Sequence, residues 1–155
     1  MAESLITREK LDNLMDSLGI QEVRSREDFR IFFSSALERY NEMRPTYVAR
    51  NISFLMDSLF ITMSHATDPK KNPHGAGLSL GSLTGLIIKC SDSLVCEALF
   101  KNNQARDFFL KCVDLAKKTN NFNMVFFKDF VPMMDLSKLG TDELEAFNLF
   151  AEAFK

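Results

Sequence analysis

Apolar residues recur three and four positions apart along this chain, and strict alternation of apolar and polar residues is rare. That period belongs to the α-helix, where such positions share a face. The first expected helix covers about 8–18, with Leu11, Leu14, Met15 and Leu18 in register. Thr7 can cap it, and Gly19 suits the left-handed position that ends helices. A second helix, about 26–43, places Phe29, Phe32, Phe33, Ala36, Leu37, Tyr40 and Met43 in one arc roughly 140° wide. Ser25 to Asp28 offer side-chain oxygens to its first turn, and Arg44-Pro45 stops it.

The third expected helix, about 47–66 with Thr46 as cap, is apolar on two sides. Val48, Ile52, Leu55, Met56, Leu59 and Met63 form one stripe; Tyr47, Phe54 and Ile61 form another. Such a helix is expected at the centre of a bundle, contacted from both sides. An irregular surface loop is expected at about 67–81, because Asp68 to Gly81 holds two of the four prolines and three of the six glycines. Helical pieces at about 82–90 and 93–101 follow. Next comes a helix at about 104–118, capped by Asn103, then a short buried helix over Phe122–Val131, with a strand as the alternative for Met124–Phe127, and a last helix opened by Gly140-Thr141-Asp142-Glu143. Gly81 and Gly85, four apart, could let another helix approach closely. No residue pattern repeats at a fixed period of 20–50. The fold class expected is all-α: one compact domain over 1–155, a bundle of six to eight helices that could be arranged as stacked helical hairpins.

Composition narrows the function by exclusion. The chain has 155 residues, 46% hydrophobic, with 15 Phe and 8 Met. Such a chain can bury a sizeable core without a disulfide or metal staple. Its formal net charge of −2 removes the simplest argument for a nucleic-acid or anionic-membrane binder. Glu3, Arg8, Glu9 and Lys10 interrupt the start, so no signal-peptide core is expected, and no apolar run approaches membrane-spanning length. Cys90, Cys96 and Cys112 read as buried reduced thiols, which points to the cytoplasm, with the nucleus as the other reducing compartment. The last residues stop in mid-pattern, as a domain cut from a longer protein would.

Chemistry is sparse. Cys90 and Cys96 are six apart, outside the spacing that brings two thiolates to one tetrahedral ion, and His65 and His74 straddle the expected loop. No nucleophile elbow is present, and the glycines of 75–85 lack the preceding strand that a phosphate loop needs. Asp57, on the doubly apolar helix, reads as part of a narrow wet strip with Arg50, Asn51 and Ser58. No catalytic residue, cofactor or metal is expected.

What remains is surface. The leading expectation is a non-enzymatic helical module for protein–protein interaction, a scaffold or adaptor. It would present a Phe/Met-rich apolar surface to a partner helix, a peptide or a second copy of itself. Met133, Met134, Phe147, Phe150 and Phe154 are the expected contact residues, because little chain follows to cover them. The alternative is an RNA- or DNA-binding helical protein using Lys101, Arg106, Lys111, Lys117 and Lys118 on or beside the 104–118 helix.

Overall fold

The computed structural model describes residues 5–119, 126–152 and 154. Among them the chain is all-α and contains no strand. Eight α-helices follow one another: α1 (Arg8–Ser17), α2 (Val23–Glu42), α3 (Pro45–Arg50), α4 (Ile52–His65), α5 (Pro73–Lys89), α6 (Ser93–Lys101), α7 (Asn103–Thr119) and α8 (Thr141–Glu152). A 3-10 turn at Val131–Met133 precedes α8.

Several boundaries follow from short-range chemistry. Thr7 Oγ1 accepts the backbone N–H of Lys10 at 3.1 Å, satisfying one of the free donors of α1. Gly19, beyond the end of α1, has φ +74°, the left-handed conformation that glycine adopts without a Cβ clash. Other ends differ from expectation. α2 begins at Val23 with Glu22 as its cap residue and no side-chain cap bond, so Ser25 lies inside the helix. Pro45 opens α3 at its first position, where a missing N–H loses nothing, so Thr46 is not the cap. Asn102, not Asn103, caps α7: its Oδ1 accepts the N–H of Ala105 at 3.0 Å. The third expected helix is two, interrupted at Asn51. Of the segment expected as buried helix at 122–131, residues 122–125 lie outside the described residues; Phe126, Phe127, Phe130 and Val131 are buried.

The largest correction concerns 67–81. Pro73 to Gly81 are not loop but the first half of α5, capped by Asn72 Oδ1, which accepts the N–H of Gly75 at 2.9 Å. α5 is also the central helix, a place expected for the 47–66 segment. Nearly every residue from Ala76 to Ile87 is buried, on all sides. The glycines that made this stretch look irregular are what allow the centre to be a helix. A Cβ on Gly77 would lie 2.5 Å from the Phe29 carbonyl oxygen of α2, and one on Gly81 would strike the Phe33 carbonyl oxygen. One on Gly85 would meet Tyr40 Cβ at 2.6 Å. Gly77, Gly81 and Gly85 are four apart, so they line one face, and α2 lies on that face at backbone contact. The expected close approach at Gly81 and Gly85 is thus present.

α2 against α5 is the most extensive helix pair, and α3 against α6 and α4 against α7 follow the same rule of pairing three helices apart. α4 also packs on α5. Two of the buried polar side chains on α5 bond within the helix: Ser79 Oγ donates to the Gly75 carbonyl at 2.7 Å and Thr84 Oγ1 to the Leu80 carbonyl at 2.6 Å. One continuous apolar cluster runs from Leu11 to Phe154. No described helix is long and apolar enough to cross a membrane.

Candidate functional site

The expected contact residues near the end of the chain are core. Met134, Phe147, Phe150 and Phe154 are buried within this one chain, and only Met133 is exposed, at 36%. What covers them is other phenylalanine. The Phe147 ring lies 5.8 Å from Phe100 of α6, and Phe150 lies 5.0 Å from Phe109 of α7. Phe154 meets Phe127 edge-on at 6.4 Å and Phe150 at 4.9 Å. The Asp135 N–H donates to the Cys90 carbonyl at 2.9 Å, which ties the approach to α8 onto the end of α5. The premise that these side chains stand open to a partner is therefore corrected at four of five positions. Late position in the chain does not leave an apolar face bare when α6 and α7 supply the other half of the packing.

The basic set is dispersed and mostly engaged. Lys101 pairs with Glu97 at 3.1 Å, and Lys118 with Asp114 at 2.9 Å. Arg106 donates to the Phe100 carbonyl at 3.0 Å and to Asn103 Oδ1 at 2.8 Å, a structural use that clamps the α6–α7 turn. The Lys111 ammonium lies 5.8 Å from the Phe60 ring centre and 5.7 Å from that of Phe108. Lys117 alone of the five has no ion pair or ring contact among the described residues.

Exposed apolar surface gathers elsewhere, on the second stripe of the 47–66 segment. Tyr47 is 52%, Phe54 68% and Ile61 50% exposed. The expectation that this stripe meets a second layer of the bundle is corrected: α4 buries Ile52, Leu55, Met56, Leu59 and Met63 against α5 and α7 and leaves its other apolar row in solvent. Tyr47 lies on α3, across the interruption at Asn51. Phe54 and Ile61, seven apart on α4, fall nearly on one line, since two helical turns take about 7.2 residues. Asp57 is exposed on the same helix, as a wet-strip residue should be.

Beside this row runs a groove. α2 and α4 both pack on α5 but barely touch each other, which leaves a cleft with α5 as its floor. Arg39, Tyr40 and Met43 of α2 form one wall, with Tyr47 of α3 at the end. Phe54, Leu55, Ser58, Leu59 and Thr62 of α4 form the other wall, and Leu78 and Ser82 of α5 the base. The cavity volume is about 280 Å³. Tyr40 is buried, which pushes its phenol up to about 12, so the ring is a neutral apolar wall at any physiological pH. Thr62 Oγ1 already donates to the Ser58 carbonyl at 2.9 Å. Ser82 is only 5% exposed and makes no hydrogen bond through its hydroxyl among the described residues.

Two larger hollows lie elsewhere on the chain. One, about 360 Å³ between α1 and α2, includes Ile6, Thr7 and Arg8 in its lining. The other, about 490 Å³, is flanked by Phe126 next to undescribed residues, and the Lys10–Asp129 ion pair, 3.2 Å, sits in its lining. The α2–α4–α5 groove is lined entirely by described residues.

Among the described residues no three His, Cys, Asp or Glu side chains converge as a metal site. His65 is exposed at the end of α4. His74 lies not in a loop but in the first turn of α5, with Nε2 3.4 Å from Asp28 and its ring edge-on to Phe32. All three cysteines are buried. Burial pushes the Cys112 thiol up to about 12, and a hydrogen bond with Cys96, together with burial, raises Cys90 well above the usual thiol range. Thiols held in the protonated form are poor nucleophiles.

Comparison with known protein families, with curated proteins and with solved structures finds no match to this chain. The groove was within reach of the sequence, since the seven-residue spacing of Tyr47, Phe54 and Ile61 was visible there. Missing was the knowledge that α2 and α4 would share α5 without covering each other.

Proposed function

We propose that this chain is a non-enzymatic interaction module of the cytoplasm or nucleus, whose α2–α4–α5 groove receives one amphipathic helix of a protein partner. The observation that carries the reading is the exposed row of Tyr47, Phe54 and Ile61 beside a cleft walled by Tyr40, Leu55 and Leu59. Exposed apolar side chains beside a groove of mixed polarity, with aromatic and aliphatic residues in its walls, suit helix-in-groove recognition, with anchors at turn-by-turn spacing. Phe54 and Ile61 stand about 10.5 Å apart along α4, two turns, which suits anchors two turns apart on the incoming helix. Burial of the row supplies affinity through the hydrophobic effect, at about 25 cal/mol per Å² of apolar surface before association entropy is subtracted.

The nucleic-acid reading, on Lys101, Arg106, Lys111, Lys117 and Lys118, has less behind it, because four of the five side chains already have partners within the fold. The test is selection from a displayed library of helical peptides about four turns long, followed by amide chemical-shift mapping of the best binder. Shifts confined to α2, α4 and the middle of α5, and loss of binding by Phe54→Asp in a folded protein, support the groove. Shifts centred elsewhere, or undiminished binding by Phe54→Asp, overturn it. Retention of a labelled oligonucleotide at low salt that Lys111→Glu abolishes would favour the basic face instead.

A further inference from the structure

Resting on the groove reading, the chemistry of its lining says more about the occupant. The walls and floor are apolar or neutral with one exception. Arg39 is the only charged side chain that lines the groove, and among the described residues its guanidinium has no ion pair. Five Lys or Arg side chains have ion pairs among the described residues, namely Lys10, Arg26, Arg30, Lys101 and Lys118; Arg39 belongs with the larger number that have none. Arg44 and Arg50, which bracket α3, are exposed and are likewise without ion pairs among the described residues. The nearby acids do not neutralise the lining. Glu38 belongs to the hollow on the α1 side of α2, while Glu42 and Asp57 lie outside the groove wall.

A second observation sits at the floor. Ser82 is almost wholly buried and lines the groove, and its hydroxyl has no partner among the described residues. Its neighbours on α5, Ser79 and Thr84, both bond to the preceding turn. A buried hydroxyl left unpaired is unfavourable, and a ligand that reaches it gains a hydrogen bond at little further desolvation cost.

From the lone cation on the wall and the open hydroxyl on the floor, we infer that the occupant is an acidic amphipathic helix. It lays an apolar stripe on Tyr40, Leu55 and Leu59, sets a carboxylate against Arg39, and directs one polar side chain to Ser82. Arg39 is exposed, and its planar fork can donate two parallel bonds to a carboxylate brought to the groove. The apolar row gives affinity to any amphipathic helix; Arg39 selects among them and fixes direction and register.

The helical-peptide library tests this without knowledge of the natural partner. Selection on the wild-type chain should enrich Asp or Glu at one helix position, and selection on Arg39→Glu should enrich Lys or Arg at that same position. Replacing the enriched acid by Gln should weaken binding to wild type by about tenfold, and binding to the Arg39→Gln variant by no more than about twofold. Ser82→Ala should weaken the best peptide by about fivefold. Enriched apolar spacing with no acidic preference, or equal losses on the wild-type and Arg39→Gln chains, overturns the acidic partner and leaves the groove reading standing. No enriched helix at all overturns both. A concentration-dependent dimer dissolved by Phe54→Asp would make a second copy the occupant and overturn the inference.

Discussion

Two aromatic-rich faces of this protein exchange the places their sequences suggest. The Phe147–Phe150–Phe154 face, on the last helix, is sealed against Phe100, Phe109 and Phe127. The Tyr47–Phe54–Ile61 face, mid-chain on a segment apolar on both sides, stands in water. Both read as apolar residues at helical spacing, and side-chain chemistry does not separate them. The difference is geometric. α8 arrives where α6 and α7 present complementary rings, while α2 and α4 are held apart by a shared partner. Glycines draw α2 tightly onto α5, and α4 takes the next position around the same helix, so the cleft between them is a consequence of how close α2 can come. Exposure of an apolar stripe thus depends on the spacing of its neighbours more than on its own composition.

The sharpest way to break this comparison starts with truncation of the buried face. Phe150→Ala should lose about 3–5 kcal/mol of unfolding free energy, read from urea or thermal denaturation, because it removes a ring packed against Phe109, Phe147 and Phe154. A loss under about 1 kcal/mol would mean that this cluster is not core.

Alkali probes the α2 wall of the groove. Burial raises Tyr40 and Cys112, and a hydrogen bond with Cys96 together with burial raises Cys90, so the folded state holds protons that the unfolded state releases. Stability is therefore full below about pH 9 and falls as pH rises from there toward about 12. Tyr40 and Cys112 alone account for about 4 kcal/mol lost by about pH 11. Tyr40→Phe should flatten this limb by about 1 kcal/mol at that pH. Were water to enter beneath the groove, Tyr40 would titrate near its ordinary value of about 10 in the folded protein and the limb would shallow.

The α2–α5 contact can be pried apart directly. Gly81→Leu sets a side chain against the Phe33 backbone, which cannot rotate away, and should cost about 3 kcal/mol. In variants that still fold, the α2–α4 cleft should also change shape, visible as amide shifts at Ser58 and Ser82. The smallest effect completes the comparison: Phe54→Ala should change stability by less than about 0.5 kcal/mol, since its ring is mostly in solvent. A loss approaching that of Phe150→Ala would show that the two faces are not opposites after all.

The stretch from Pro73 to Gly81 shows where reading a sequence reaches its limit. Proline at the first helical position and glycines four apart carry loop signals in isolation, because both disfavour an ordinary exposed helix. Against α2 the same glycines are required, since any Cβ would collide with the facing backbone. Tertiary contact reverses the local preference. The caps at Thr7 and Asn72 and the left-handed Gly19 depend on atoms a few residues apart, and the first and last of these were legible in advance.

By itself the sequence determined the helical class, the apolar face of each helix and the residues able to form an aromatic cluster, because these follow from a helical period of about 3.6 and from side-chain chemistry. Only the tertiary structure decided which helix lies at the centre, which aromatic row is buried, and that Arg39 and Ser82 line a common groove. Those properties depend on how closely two helices can approach across a third, a distance set by residues far apart in the chain and acting together.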